Sequence, residues 1–509
     1  MTTFTQHPDC SLMLPYVEQV RDCIEGEPKI KSERMKYLKH PNMIDQTSPQ
    51  QLARYEAYID GAEFDEFPAA TESQMLGDMT RGEFVFELPG KLAELEQDSD
   101  GDGMPLDGAV EFVYRNLLEV KWHVLVAEYQ GLGNLDTKDV SLQDLKELNP
   151  RATIKHYRRE SVIDWDFKKI GGAMQLSMLV LKEVAEERDT EAFTRKEITS
   201  HLVLGLDAEG NYYQQKYVTG VDGSSQADGE RNYPMIGGQM IKFIPAEVVV
   251  DQEWPAGTIP RAVGYLGPVC STALYRYRES ADYKEALRYM QPTTFSQGWK
   301  ASDKELFSEL NGRDYIAFGA GVSNQLPEGV TVDVVGLGIQ TQPFTEYFDQ
   351  NARKARALGA SFDNQDMGAQ SSQTAREAGI NSAKKTAVMA MIANNVEAAF
   401  KRVIAYCGMF EGLFSVDKLA AAVEQIEFNV PRGFGETKLT TQEVAEIRNN
   451  VQAGLISKDE GLRQLEAGGW TVEDAETIIG EIEEQGPEIG GDNPLNRQVG
   501  TPVADNIEQ

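Results

Sequence analysis

Pro268-Val-Cys-Ser-Thr-Ala-Leu-Tyr-Arg-Tyr-Arg-Glu-Ser-Ala-Asp-Tyr-Lys-Glu-Ala-Leu-Arg-Tyr-Met290 is the stretch on which the fold turns. Pro268 suits the first turn of a helix, where its missing N–H costs nothing, and Pro292 stops the helix just past Met290. A compact module follows: a strand from Thr293 to Gly298, a short helix from Ser302 to Leu310 capped by Ser302, and strands Tyr315 to Phe318 and Val330 to Val335. A second helix starts near Thr341, tolerates Pro343 in its first turn and runs to Leu358. Two helices therefore flank one small α/β insert.

Downstream, Gly359 to Ser372 is polar and punctuated by glycine, the composition of a loop. Gln373 to Phe410 then carries one continuous helical pattern through Val388, Met391, Ile392, Val396, Phe400, Val403 and Ile404. Such a helix would span about 55 Å, and Gly379 within it is the natural place for a kink. Thr440-x-x-Glu443, Ser457-x-x-Glu460 and Thr471-x-x-Asp474 are three capping-box-like helix starts, with stops at Gly454 and Gly468-Gly469. Beyond Gln485 the composition is that of a disordered acidic tail.

Upstream, helices are expected at Leu12 to Glu25, Pro49 to Tyr58 and Leu92 to Gln97. A longer one, Leu106 to Glu128, has a buried stripe of Val110, Val113, Leu117, Val120, Val124 and Ala127. From Ala152 to Asp251 the period shortens to that of strands: Leu176 to Val184, Ile198 to Leu206, Tyr212 to Thr219 and Met240 to Val250. Asp207-Ala-Glu-Gly210 is a hairpin turn signal between the second and third, and Gly220 to Gly229 reads as a longer polar loop. The fold class is α+β, with an antiparallel β unit between helical regions.

The 509 residues hold 49 Lys and Arg against 81 Asp and Glu, a formal charge of −32. Asp60 to Asp107 contributes 14 acids and two bases, and Thr471 to Gln509 ten acids and one base, so the ends are acidic and the middle is near balance. A protein that grips phosphate needs a basic face, which this composition argues against. No apolar run approaches the roughly 18 residues that span a bilayer, and Met1 to Asp9 has neither the basic start nor the apolar run of a signal peptide. The four cysteines, Cys10, Cys23, Cys270 and Cys407, form no CxxC and read as buried free thiols of a reducing compartment.

Catalytic patterns are absent from the sequence. His7, His40, His123, His156 and His201 form no HExxH, and neither GxSxG nor GxxxxGK occurs. Three GxG pairs (Gly131/Gly133, Gly319/Gly321, Gly336/Gly338) lack the third glycine and any βαβ context. Asp98, Asp100 and Asp102 followed by Gly103 match the first half of a calcium-binding EF-hand loop, but the twelfth position is Ala109, where a bidentate Glu belongs. The favoured reading is a solvated acidic turn ahead of a helix; the weak alternative is a cation site. The two flanking helices are locally basic: Arg276, Arg278, Lys284 and Arg288 on the first, Arg353, Lys354 and Arg356 on the second. These are either ordinary helix surface making i,i+4 pairs or a mildly cationic collar facing a polyanion.

The order of parts and the local sequence resemble the portal proteins of tailed bacteriophages. The similarity is carried by His7-Pro8-Asp9 with Tyr16 to Gly26, by Tyr277 to Leu287, by Ser372 to Ala378 leading into Ala393 to Phe400, and by Gly454 to Leu462. None of these is an invariant signature, so order matters as much as letters. The resemblance implies a portal-like fold with a mixed helical and antiparallel-β wing (1–266), a two-helix stem (267–290 and 340–358), a clip (291–339), a tunnel loop (359–372), a long kinked helix (373–410), a helical crown (411–486) and an acidic tail (487–509). It implies a ring, usually of twelve copies, at one capsid vertex of the virion, assembled in the host cytoplasm. Duplex DNA would pass through without sequence specificity. The partners implied are the large terminase subunit, a head–tail adaptor, and the major capsid and scaffolding proteins; membrane, cofactor and catalysis are not implied. In the tunnel loop Ser361, Asp363, Asn364, Gln365, Asp366 and Gln370 would face the DNA, with no Lys or Arg among residues 359–372. The acidic stretch around Asp98 and the loop Gly220 to Gly229 depart from the pattern, which bears on the wing's boundaries. Two rivals from other classes are a cytosolic enzyme whose site is assembled from dispersed residues and a calcium-dependent binding protein using Asp98, Asp100 and Asp102.

Overall fold

The structure is a computed structural model that describes residues 4–40, 47–130, 149–188, 193, 195–220, 223–289, 293–316, 323–335, 341–358 and 375–432, with a few positions beyond. Residues 1–432 form one compact unit and 433–509 a second. In the second, the Gly461 N–H donates to the Ser457 carbonyl at 3.0 Å, the first helical bond after the capping serine. Helical backbone is also described at 444, 447–449, 451 and 462. Apart from these positions and 457 and 461, the rest of 433–509, crown helices and tail alike, lies outside the described residues.

The first unit begins with four helices: α1 (Pro8–Glu25), α2 (Glu27–Ser32), α3 (Pro49–Gly61) and α4 (Phe67–Met79). Strand β1 (Val85–Glu87) and a 3-10 segment (Gly90–Glu96), where an α-helix was expected, lead to α5 (Leu106–Val120). The expected helix to Glu128 stops short at Val120. Lys121 adopts a left-handed conformation (φ 78°) and its N–H bonds the Leu117 carbonyl, closing the helix. The chain then forms β2 (Trp122–Gln130). Val120, Val124 and Ala127 stand at helical spacing, but Trp122 through Ala127 are buried on both faces of a strand, which erases the alternation that would betray it.

β2 is the middle strand of an antiparallel sheet, between β3 (Arg151–Tyr157) and a later strand that pairs Val248 with Val124. Next come β4 (Val162–Ile170), β5 (Ala173–Arg188), β6 (Arg195–Leu206), β7 (Tyr212–Thr219) and β8 (Ser225–Asn232), a five-stranded antiparallel sheet in sequence order. The expected turn at Asp207–Gly210 joins β6 to β7. Asp207 Oδ1 accepts from the Glu209 and Asn211 N–H groups, and Gly210 takes φ 79°. The second half of the expected polar loop Gly220–Gly229 is instead the start of β8, an edge strand exposed everywhere except Ser225. An edge facing water needs no apolar alternation, so composition alone could not mark it.

β9 (Met235–Ile236), β10 (Gln239–Met240) and β11 (Ala246–Val250) follow, β11 being the third strand of the β2 sheet. Then come α6 (Gly267–Tyr289), β12 (Thr293–Gln297), α7 (Asp303–Asn311), β13 (Thr331–Val335), α8 (Gln342–Ala357), α9 (Ala375–Phe410), α10 (Leu419–Val423) and β14 (Glu427–Asn429). α9, with Val396, Phe400, Ile404 and Cys407 buried, lies against the β2 sheet, and β14 pairs β1 so that Phe428 stacks on Phe400. Among the described residues no helix is long and apolar enough to cross a membrane.

The N-terminal helices are tied to this core by the His7 N–H on the Ile163 carbonyl, by the Cys10 thiol on the Val162 carbonyl and, most extensively, by one guanidinium. Arg21 of α1 donates to Glu160 at 2.8 Å, to Asn116 at 2.6 Å and to Glu119. Beside it, burial and then the Glu119 carboxylate push the buried Glu72 of α4 up to about 8. Arg159 bonds the carbonyls of Val120 (2.7 Å) and Ala262, and burial brings it down to about 10.

Two histidines share the core between the β2 sheet, Phe112 of α5 and Phe400 of α9: His123 Nε2 lies 3.3 Å from His156 Nδ1. Burial holds His123 well below the usual range and brings His156 down to about 4, with Asp100 opposing and Lys155 assisting. Unfolded, both would take protons near 6.5. Their neutral packing therefore contributes fully above that pH and is lost as pH falls from about 6.5 to about 4, on the order of 3 kcal/mol for His156. The urea midpoint should drop across that window, and His156→Gln should flatten the drop. An unchanged acid slope in the variant would show that the pair is not responsible.

Candidate functional site

α6 and α8 form an antiparallel pair whose register follows from their contacts. Tyr283 meets Phe344 and Phe348 (ring centroids 5.6 and 5.9 Å), Arg276 donates to the Phe348 carbonyl at 2.9 Å, and Lys354 lies 5.5 Å from the Tyr275 ring. The Tyr265 hydroxyl, just before α6, bonds the Leu358 carbonyl after α8. Both helices start as the sequence implies, with Pro268 and Pro343 in their first turns.

Between them the insert is closed by β12 and β13, paired from Thr293↔Val335 to Gln297↔Thr331. A side chain at Gly298 would meet the Gly329 carbonyl oxygen at 2.3 Å, so the close approach beneath this ladder requires glycine. α7 packs Phe307 inward against Trp299 and leaves Leu306 and Leu310 exposed. Ser302 precedes α7 but makes no side-chain cap; Asp303 accepts from the Lys300 N–H instead, which closes the turn one residue later. Tyr315 and Ile316 are not in a strand, and the rest of the expected Tyr315–Phe318 strand lies outside the described residues.

The cations proposed as a collar divide by helix. Arg276 reaches Asp65 as well as Phe348, Arg278 bonds the Tyr37 carbonyl at 2.8 Å, Lys284 pairs with Glu63 at 2.7 Å, and Arg288 bonds the Ala57 carbonyl. Ser280 exchanges hydrogen bonds with the Glu63 backbone, and Tyr58 donates to Asp282 at 2.6 Å. The four α6 cations thus dock this helix on the N-terminal layer, a long-range version of the ordinary helix-surface reading. On α8, Arg353 and Lys354 are exposed, and the Arg356 side chain lies outside the described residues. The tunnel-loop residues Ser361, Asp363, Asn364, Gln365, Asp366 and Gln370 also lie outside them, while the backbone at Gly379 is helical within α9.

The acidic turn is held by its own chain. Asp98 Oδ1 accepts from the Gly101 and Gly103 N–H groups at 2.8 and 2.9 Å, and Asp100 Oδ1 from Asp102 and Met104. Arg151 pairs with Asp98, and Lys155 with Asp102 at 3.1 Å. Burial acts to raise the Asp98 carboxyl, and the Gly103 and Gly101 donors with Arg151 outweigh it, so it sits below its usual range. The turn fastens the approach to α5 onto β3. Among the described residues no group of three or more His, Cys, Asp or Glu could hold a metal ion.

Sequence reasoning missed an open cavity of about 540 Å³ between the turn end of the β4–β5 hairpin, β11 and α9. Phe167, Met174, Leu176, Phe243 and Trp254 give it apolar walls. At its floor Glu247 accepts from the Tyr406 hydroxyl at 2.9 Å, and Arg402 Nε stands 3.0 Å away without hydrogen-bond alignment. Burial raises the Glu247 carboxyl while Arg402 pulls it down. The only advance signal was an acid inside the apolar run Ala246-Glu-Val-Val-Val250.

A protein-family model described as "Domain of unknown function (DUF4055)" matches residues 270–411, from α6 through the insert and α8 to the end of α9. No curated protein matches. Among solved structures, a chain of the virion of a native gene transfer agent particle is 12% identical, with a TM-score of 0.37, covering 87% of this chain and 98% of that one. A chain of the particle's neck computed with C12 symmetry is 12% identical, with a TM-score of 0.38, covering 86% and 98%.

Arg276→Ala should lower stability by about 1–3 kcal/mol, because Asp65 and the Phe348 carbonyl both lose a charge-assisted donor. Arg276→Lys should restore only part, since one ammonium cannot reproduce the planar fork. Arg353→Ala at an exposed position should leave the urea midpoint unmoved.

Proposed function

We propose that this chain is the structural subunit of a portal ring, a conduit for duplex DNA and a docking hub at one vertex of a phage-like virion. The observation that carries the reading is the antiparallel α6–α8 pair flanking a strand-closed insert and followed by the 36-residue α9. This is the part order of a stem, a clip and a long helix, and the family match runs over the same segment. Residues 1–266 would be the wing, 267–290 and 340–358 the stem, 291–339 the clip, 359–372 the tunnel loop, 373–410 the long helix kinked at Gly379, and 411–486 the crown, ahead of the acidic tail 487–509. The clip would meet the large terminase subunit during filling and a head–tail adaptor afterwards, and the wing would meet capsid and scaffolding protein.

In this reading the chain does no chemistry. Its work is electrostatic and steric. A channel wall of the same sign as the chain, whose net charge is −32, would repel the phosphate backbone, so DNA would slide where a cationic wall would hold it through counterion release. Docking the α6 cations on the N-terminal layer also keeps them from acting as fixed phosphate ligands.

Negative-stain microscopy of the purified protein should show closed rings with a central hole wide enough for duplex DNA. A monodisperse monomer at high concentration, with and without scaffolding or capsid protein, overturns the reading. In rings that package DNA, replacing Asn364 and Gln365 together by Lys should slow translocation; an unchanged velocity would mean that the 359–372 segment does not line the channel.

A further inference from the structure

β5 carries a feature at each end that no other described residue completes. β4 pairs with it only over Ala173–Leu181, and β7 pairs with β6 only over Ser200–Leu206. Val184–Arg188 and Arg195–Thr199 therefore form a two-stranded ribbon with no third strand among the described residues, an arrangement marginal by itself in water. Past its end Phe193 is 80% exposed, at φ 55°, a conformation costly for a bulky residue. At the other end of the strand, Met174 and Leu176 form part of the apolar cavity, whose rim residues Met174 and Trp254 are themselves 42% and 39% exposed.

We propose that the ribbon end of one copy, led by Phe193, seats in this cavity on the next copy. The contact is head-to-tail between two different patches of the same chain. It rests on the ring reading and deepens it by naming an intersubunit contact. Three observations favour a second copy as the occupant. Leu176 and Arg188 lie on one extended strand, about 40 Å apart at ~3.3 Å per residue, so the tip cannot fold back into its own cavity. An aromatic anchor and an apolar hole of about 540 Å³, within the usual range for pockets that enclose small ligands, are complementary in kind.

Charge supplies the third. Arg188 stands directly opposite Arg195 in the ladder, and like charges so placed destabilise a strand pair unless an acid joins them. Arg195 pairs with Glu186, whereas Arg188 has no ion pair among the described residues. Asp417 on the cavity lining is exposed and likewise has no ion pair among them, so a neighbour's Arg188 fits there. A contact between unlike patches closes into a ring when the rotation per copy allows it.

The test uses the full chain, whose four native cysteines are buried. Phe193→Cys combined with Thr258→Cys at the cavity lining is treated with a short bismaleimide. A covalent ladder extending beyond the dimer on a denaturing gel, absent from each single variant, is the expected result. In parallel, Arg188→Asp should lower ring yield at least tenfold, and adding Asp417→Arg should recover most of it. Rings in the microscope without a ladder above the single-cysteine controls, or without recovery in the charge swap, overturn this contact and leave the ring reading standing. Wild-type protein that never forms rings overturns both.

Discussion

Arg21 is the residue through which the architecture is joined. Its guanidinium lies where α1, α5 and the turn at Arg159–Ser161 meet, and it binds Glu119, Asn116 and Glu160 at once. A charge in that position is tolerable because two carboxylates and an amide meet it with four hydrogen bonds, and removing it would take away the cation that Glu119 and Glu160 share. The consequence reaches beyond the cluster. α1 fixes α6 through Gln19 to Ser271 and through the Cys23 thiol against the Cys270 carbonyl. α6 in turn sets the direction of α8 and of the insert between them. The orientation of the proposed stem is thus decided at a site far from it in sequence.

What the sequence made legible follows from range. The ends of α6 and α8 are local events, written in Pro268 and Pro343, and they are found within a residue or two. The β6–β7 turn is local as well, written in Asp207 and Gly210. The failures are those where a distant partner decided. Val124 and Ala127 fit a helical stripe, and only pairing with β3 and β11 makes them strand residues. Ser225–Asn232 has no apolar pattern at all and is a strand because β7 offers it a ladder. The α6 cations could be counted in advance, but their acceptors, Asp65, Tyr37, Glu63 and Ala57, lie more than two hundred residues upstream. The cavity was invisible for the same reason, since its walls come from four separate segments.

The functional reading gains coherence from this internal use of cations. A nucleic-acid-facing protein of strongly negative charge looks contradictory when binding is taken as the aim. For a passage the requirement reverses: cations must be present to hold helices together and withheld from the traffic. Bonding Arg276, Arg278, Lys284 and Arg288 to the layer behind them meets both demands with the same side chains.

Glu72 adds a consequence of a different kind. With its carboxyl pushed up to about 8 from an ordinary 4.5, the folded chain holds a proton there at neutral pH that the unfolded chain releases. The proton is held where Glu72 and Glu119 face each other, so near neutral pH folding favours proton uptake at this pair. By the same linkage stability falls as pH rises between those two values, and alkali works against the layer of helices that Arg21 anchors. An acidic chain of this kind keeps one of its acids silent at the place where its parts are joined.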